Sequence, residues 1–136
     1  MARSNDLRRL IESTLNDLKT TYGIPDRGIT YRVASDKVMW PHVVFFLDAM
    51  SPTDMGREDY TLDIDIWAKD QAWALDFADA IVDLFSFNNA PQETILPTFY
   101  LVSSGQIEDP DKTIIHMVVR FTVQTFRREI ENVSDD

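Results

Sequence analysis

Alternating apolar and polar residues mark residues 60–67 as a strand with one buried face. Apolar side chains occupy every second position, at Tyr60, Leu62, Ile64 and Ile66. The positions between them hold Thr61, Asp63 and Asp65. Because successive side chains of a strand point to opposite faces, this order predicts a sheet with one apolar face. The opposite face is expected to carry both aspartates.

Two segments show the apolar spacing of amphipathic helices. Residues 5–22 carry apolar side chains at steps of three and four, and Gly23 and Pro25 follow as residues that end a helix. Residues 70–87 form a second such segment with a broad apolar stripe. Three aspartates line the opposite side of this helix, Asp76, Asp79 and Asp83. We interpret them as a solvated face, because acids at this spacing without neighbouring ligands rarely bind a metal.

The remaining periodic segments predict strands at residues 29–35, 41–47, 98–102 and 113–127. A loop is expected over residues 48–59, which contain proline, glycine and polar residues without periodicity. The last strand would extend for ~50 Å at about 3.3 Å per residue, which is longer than a compact domain needs. Either a bulge bends it or its end pairs outside the domain.

The order of these elements predicts an α+β fold: a mainly antiparallel sheet of four to five strands with two helices packed on one face. One domain is expected over residues 1–128, since 136 residues leave no room for two. Residues 129–136 are expected to form an acidic, flexible tail.

Composition narrows the function classes. The net charge is −10, from 23 acidic and 13 basic residues, so phosphate backbones are repelled and sequence-specific reading of nucleic acid is not expected. The chain has no cysteine, which excludes disulfides, thiolate metal sites and a thiol nucleophile. Residues 1–6 lack the apolar run of a signal peptide, and nothing approaches the ~18 apolar residues that span a bilayer. We therefore expect cytosolic synthesis and no membrane partner.

The residues offer little catalytic chemistry. Asp63 and Asp65 would lie about 7 Å apart on one strand face, a separation compatible with acid–base catalysis or with a divalent cation that had a third oxygen ligand. No neighbouring residue in the sequence marks a pocket around them. His42 and His116 have no acidic residue at a ligand-like spacing. The prediction is therefore no enzyme, no cofactor, no metal site and no catalytic residue.

The order and texture of the elements over residues 5–128 resemble the tail-completion or tail-terminator proteins of long-tailed bacteriophages. An amphipathic helix is followed by a proline-preceded strand (Pro41-His42-Val43-Val44), a strand that ends Ile66-Trp67-Ala68, a helix opened by Asp70, and a final strand that ends Phe126-Arg127-Arg128.

This resemblance implies a structural virion protein at the head-proximal end of the tail, assembled in the host cytoplasm. Such proteins form a ring, typically a hexamer, that caps the tail tube, stops its polymerisation and joins the head connector. The implied partners are further copies of the chain, the tail tube protein and the connector or neck protein, while DNA passes through the lumen without specific binding.

In such a ring, we hypothesise that Asp63 and Asp65 would face the lumen. A projecting loop with Pro52, Asp54, Met55, Arg57 and Glu58 would contact a neighbouring subunit or partner. A free edge of the last strand, with His116, Arg120, Thr122 and Gln124, would continue the sheet into the next copy.

Two alternatives remain open from the sequence. One is another neck, connector or tube subunit of related fold. The other is an unrelated α+β domain, either a small acid–base enzyme or an acidic inhibitor that mimics nucleic acid. A mimic would need its carboxylates spread over one wide face, with Asp76, Asp79 and Asp83 beside Asp63 and Asp65.

Overall fold

The computed structural model of this chain describes residues 3–33, 40–50, 57–87 and 95–127. Its elements are α1 (Arg3–Asp17), α2 (Lys19–Tyr22), β1 (Ile29–Tyr31), β2 (His42–Ala49), β3 (Arg57–Ala68), α3 (Gln71–Phe87), β4 (Ile95–Ile107) and β5 (Ile115–Arg127). The five strands form one sheet in the order β1-β2-β3-β5-β4. β1 is parallel to β2, and the other neighbouring pairs are antiparallel. The predicted α+β fold is confirmed.

The core lies between the helices and one face of this sheet. The alternate residues of β3 that the sequence assigned to a buried face are enclosed, and their register partners on β5 are equally buried. The helices supply fully enclosed side chains from their apolar stripes, including Leu7, Ile11, Leu15, Phe77 and Ile81. The apolar faces predicted from the sequence are therefore the buried ones. The described helices pack on one face of the sheet and leave the other face uncovered.

Both predicted helices are present, with local differences at their ends. The first is divided at Leu18, whose amide donates to the Leu15 carbonyl one residue short of the α-helical partner. α2 then ends at Gly23, which adopts the left-handed conformation, with φ 67°, that its lack of a Cβ makes accessible. At the second helix, Asp70 is the cap rather than the first helical residue. Its carboxylate accepts from the Ala72 amide at 3.0 Å.

The strands near the carboxyl end differ more from expectation. β4 is much longer than the predicted strand over residues 98–102 and also includes Ser104, Gly105 and Gln106. A register shift between Leu101 and Ser103 explains the difference. The bulge interrupts the side-chain alternation while pairing with β5 continues on both sides of it. At the other edge, β1 is shorter than predicted because Arg32 leaves the extended region with φ 68°.

The prediction that the last strand offers a free edge at His116, Arg120, Thr122 and Gln124 is wrong. β5 pairs with β3 on one side and with β4 on the other, and all four residues have partners in both registers. β5 is long, but its two neighbours β3 and β4 are also long and pair with it along its length. In the described sheet the free edges belong to β1 and β4.

The described residues include only part of the predicted partner loop. Pro52, Asp54 and Met55 lie outside the described residues. The other two members of the set, Arg57 and Glu58, are the first residues of β3, so their assignment to a loop is wrong. β3 begins there because its pairing with β5 extends to this end of the sheet, where the Thr125 hydroxyl donates to the Glu58 carbonyl at 3.0 Å. The acidic tail over residues 129–136 also lies outside the described part of the chain.

Candidate functional site: the open sheet face

The sheet face that points away from the helices, here called the open face, gathers most of the polar and ionisable residues that the sequence singled out. It is formed by alternate residues of the three central strands. These are His42, Val44, Phe46 and Asp48 of β2, Asp59, Thr61, Asp63, Asp65 and Trp67 of β3, and His116, Val118, Arg120, Thr122 and Gln124 of β5.

Asp63 and Asp65 lie on this face, each beside a basic side chain of β5. Arg120 is the register partner of Asp63, and its Nε lies 3.3 Å from the Asp63 carboxylate. His116 lies diagonal to Asp65, with Nε2 and Oδ2 3.8 Å apart. Two residues assigned from sequence to an intermolecular edge thus face the aspartates instead. Because Arg120 is a cation, it offsets part of the negative charge of Asp63.

Asp65 is the more shielded of the two carboxylates. Its side chain is 19% exposed, against 39% for Asp63. Its register partners on both sides, Val44 and Val118, are buried even though they belong to the open face. This burial raises the pKa of Asp65 above its ordinary value of 3.8, and the charge of Asp63 acts in the same direction, while His116 and Arg120 oppose the rise.

The imidazole of His116 has a buried nitrogen atom without a hydrogen bond in the described part of the chain. Its Nε2 atom is buried and has no hydrogen-bond partner among the described residues. The 3.8 Å between Nε2 and the Asp65 carboxylate is too long for a hydrogen bond.

An aromatic ladder fixes this end of the open face. Trp40, His42, Trp67 and His116 follow one another with ring centroids 5.3, 5.0 and 4.3 Å apart. The last two contacts are stacked, and Lys69 places its ammonium 5.0 Å from the centre of the Trp40 ring. Sequence reasoning missed this ladder because it treated the two histidines separately. The signal was that His42, Trp67 and His116 each lie on the open-face side of the alternation in their own strand. The three rings come into contact because β3 lies between β2 and β5, and the sequence does not give this strand order.

Among the described residues, no group of three or more acidic or histidine side chains is placed to hold a metal ion. A shallow cavity of about 370 Å³ is lined by α1 residues, from Arg9 to Asp17, and none of its lining residues belongs to the open face. Across the parts of the chain that the structure covers, no helix is long and apolar enough to cross a membrane.

The aspartates of α3 do not join the aspartates of the sheet on one surface. Asp76, Asp79 and Asp83 are exposed on a helix that packs against the core face, whereas Asp63 and Asp65 lie on the face opposite to it. A wide array of carboxylates at phosphate-like spacing would need both sets on one side. The geometry thus removes the main support for a nucleic-acid mimic.

Comparison with known proteins places the fold. No protein-family model matches the chain, and no curated protein matches it. Among solved structures, a chain in the virion of a native gene transfer agent particle superposes with a TM-score of 0.66 at 10% sequence identity, over 84% of this chain and 90% of that chain. The two chains share a fold. A second solved structure has a TM-score of 0.61 at 13% identity, over 93% of this chain and 97% of that one.

The shielding of Asp65 gives a pH-dependent stability prediction. Because its folded-state pKa is raised, the ionised carboxylate opposes folding, and stability falls as the pH rises through that pKa. Asp65→Asn should therefore raise the free energy of unfolding at pH 7, and the gain should disappear as the pH falls towards the unfolded-state value near 3.8. Urea denaturation at a series of pH values measures this difference.

Asp63→Asn is the matched control, since it removes a carboxylate two residues away that is more exposed and adjoins Arg120. It should give no such gain at pH 7. A loss of stability in Asp65→Asn at pH 7, or equal gains in both variants, would contradict the assignment of the effect to burial.

Proposed function

We propose that this chain is a structural virion protein that forms a ring at the head-proximal end of a tail. The ring caps the tail tube, stops its polymerisation and presents the surface to which the head joins. The role is one of assembly and involves no catalysis, cofactor or membrane.

The observation that carries this proposal is the fold shared with a chain of the gene transfer agent virion, with 84% of this chain and 90% of that chain superposed. A match that extends over nearly the whole of both chains means that the likeness is not confined to one common supersecondary unit. The order of elements that resembles the tail-terminator proteins spans the same region. Both comparisons therefore point to the same class of particle.

The edges of the sheet support a role in assembly. Two unpaired strand edges remain in the described sheet, at β1 and β4. Unpaired edges are a hazard for a monomer and a means of contact for an oligomer.

In the proposed ring, the open face lines the lumen, and this assignment rests on the charge of the face. Asp63 and Asp65 there would repel the backbone of passing DNA and prevent it from adhering. Arg120 moderates that repulsion at short range. The ring, which we propose to be a hexamer, would contact the tail tube protein on one side and the head connector on the other.

A related position in the same particle is the second candidate. The shared fold applies equally to a neck, connector or tube subunit, because these differ in where the ring sits and not in the single chain. The experiment must therefore report location as well as presence.

Cryo-electron microscopy of particles that carry the chain tests the proposal. We expect one ring of this fold at the junction of head and tail, at the last layer of the tube. Density for the fold repeated along the tube would assign the chain to the tube subunit instead. Purified particles that lack the chain altogether would contradict the virion role.

A further inference from the structure

Most of the exposed large apolar side chains lie on β4, at one edge of the sheet. Among the described residues, the large apolar side chains that are strongly exposed are Val33, Met50, Leu75, Tyr100, Leu101, Val102 and Ile107. The last four belong to β4, and Val33, which is 71% exposed, lies two residues after the end of β1. Met50 directly follows β2, and Leu75 lies on α3. Exposed apolar groups concentrated along a strand edge, as on β4, are typical of surfaces that are covered in an assembly.

β4 offers the longer of these edges, and its surroundings are acidic. α3 begins beside it, where the side-chain amide of Gln71 donates to the side-chain Oε1 of Gln106 at 3.2 Å. At steps of four from Gln71, the same helix flank carries Leu75, Asp79 and Asp83, all exposed. Three further acids follow the strand, Glu108, Asp109 and Asp111. A partner that is itself acidic, including a second β4, would be repelled from this edge.

β1 offers the opposite edge, and an arginine lies near each of its ends. Arg27 precedes the strand and is exposed, while Arg32 follows it and is 43% exposed, with its guanidinium paired to Asp48. Asp26 lies directly before Arg27 but is paired with Lys19 at 2.8 Å, so Arg27 is the cation of this edge that has no acidic partner among the described residues. The guanidinium of Arg8 also lies on this side, 5.8 Å from the centre of the Tyr31 ring. Further along β2 the edge is closed, because the Tyr31 hydroxyl and the Arg32 guanidinium donate to the Leu47 carbonyl at 3.1 and 2.8 Å.

We propose that the β4 edge of one copy associates with the β1 edge of the next copy, so that successive subunits join head to tail. The inference rests on the proposed ring, since a head-to-tail contact of two different edges closes into a ring when its rotation allows. The exposed apolar groups of β4 would cover Val33, and Arg27 would face the acids of α3. The shortness of β1 limits the backbone pairing to a few residues, so side-chain contact carries much of the interface.

The absence of cysteine from the sequence makes a clean cross-linking test possible. Val33→Cys and Val102→Cys are introduced singly and together into the full chain, and assembled particles are treated with a short bismaleimide cross-linker, which tolerates small errors of register. The double variant should give a ladder of covalent oligomers beyond the dimer on a denaturing gel. Each single variant should remain monomeric, and a mixture of the two should give only dimers.

Asp17→Cys combined with Val102→Cys is the matched control, because Asp17 is exposed on α1 and lies on neither edge. It should give no ladder. Dimers from Val102→Cys alone would show that two β4 edges meet and would overturn the proposal, as would a double variant that stays monomeric.

The outcome separates this inference from the proposed function. A ring at the head–tail junction without edge-to-edge cross-links would reject the interface and leave the virion role intact. If the chain is absent from particles, the same test is made on the purified full chain at high concentration. A ladder there would support the interface although the virion role had failed, and monomers there would reject both.

Discussion

Phe121→Ala should lower the free energy of unfolding by about 3–5 kcal/mol, the range for removing a buried aromatic ring. Phe121 is 1% exposed and lies between α3 and the last two strands. Its ring centroid is 5.6 Å from that of Phe85 and 6.1 Å from that of Phe99. Loss of the ring leaves a cavity where the helix meets the sheet, and close-packed neighbours relax only partly into such a space.

Urea denaturation followed by circular dichroism measures this effect, with Thr122→Ala as the control on the adjacent residue. Thr122 is the next residue along β5, but it points to the open face and is partly exposed, so its loss should cost less than about 1 kcal/mol. Equal effects of the two substitutions would contradict the placement of the core on one side of the sheet only.

The buried face of β3 could be predicted from the sequence because a period of two admits only two faces. Once Leu62, Ile64 and Ile66 are assigned to one face, Asp63 and Asp65 must lie on the other. The two helices were predictable for a related reason, since Leu7, Ile11 and Leu15 recur at the helical period. These are local rules, and the structure follows them.

The strand order could not be predicted, because it depends on contacts between distant segments. β5 was assigned to an edge on account of its length, yet it lies between β3 and β4. The ion pair of Asp63 with Arg120 and the stack of Trp67 on His116 could not be predicted either, because both depend on β3 and β5 being neighbours. In β4, the bulge at Leu101 broke the alternation on which strand prediction relies.

The corrected strand order changes how an assembly would be built and leaves the proposal of an assembly in place. Arg120, which the sequence assigned to an intermolecular edge, instead offsets part of the charge of Asp63 on the open face. The free edges are β1 and β4, and β4 carries Tyr100, Leu101, Val102 and Ile107 as exposed apolar side chains. The proposed lumen surface and the proposed subunit contacts therefore lie on different parts of the sheet.

Deletion of this gene from the genome that carries it should abolish joined particles. A ring that stops tube growth and presents the head-binding surface has two functions, and without it tubes should grow to uncontrolled lengths while heads remain unattached. Supply of the wild-type chain in trans should restore joined particles, which excludes an effect of the deletion on neighbouring genes.

The most direct test of the central claim is electron microscopy of those deletion particles, with tail lengths and the fraction of joined heads counted. The account predicts separate heads together with tails of irregular length. Joined particles with tails of normal length would contradict it.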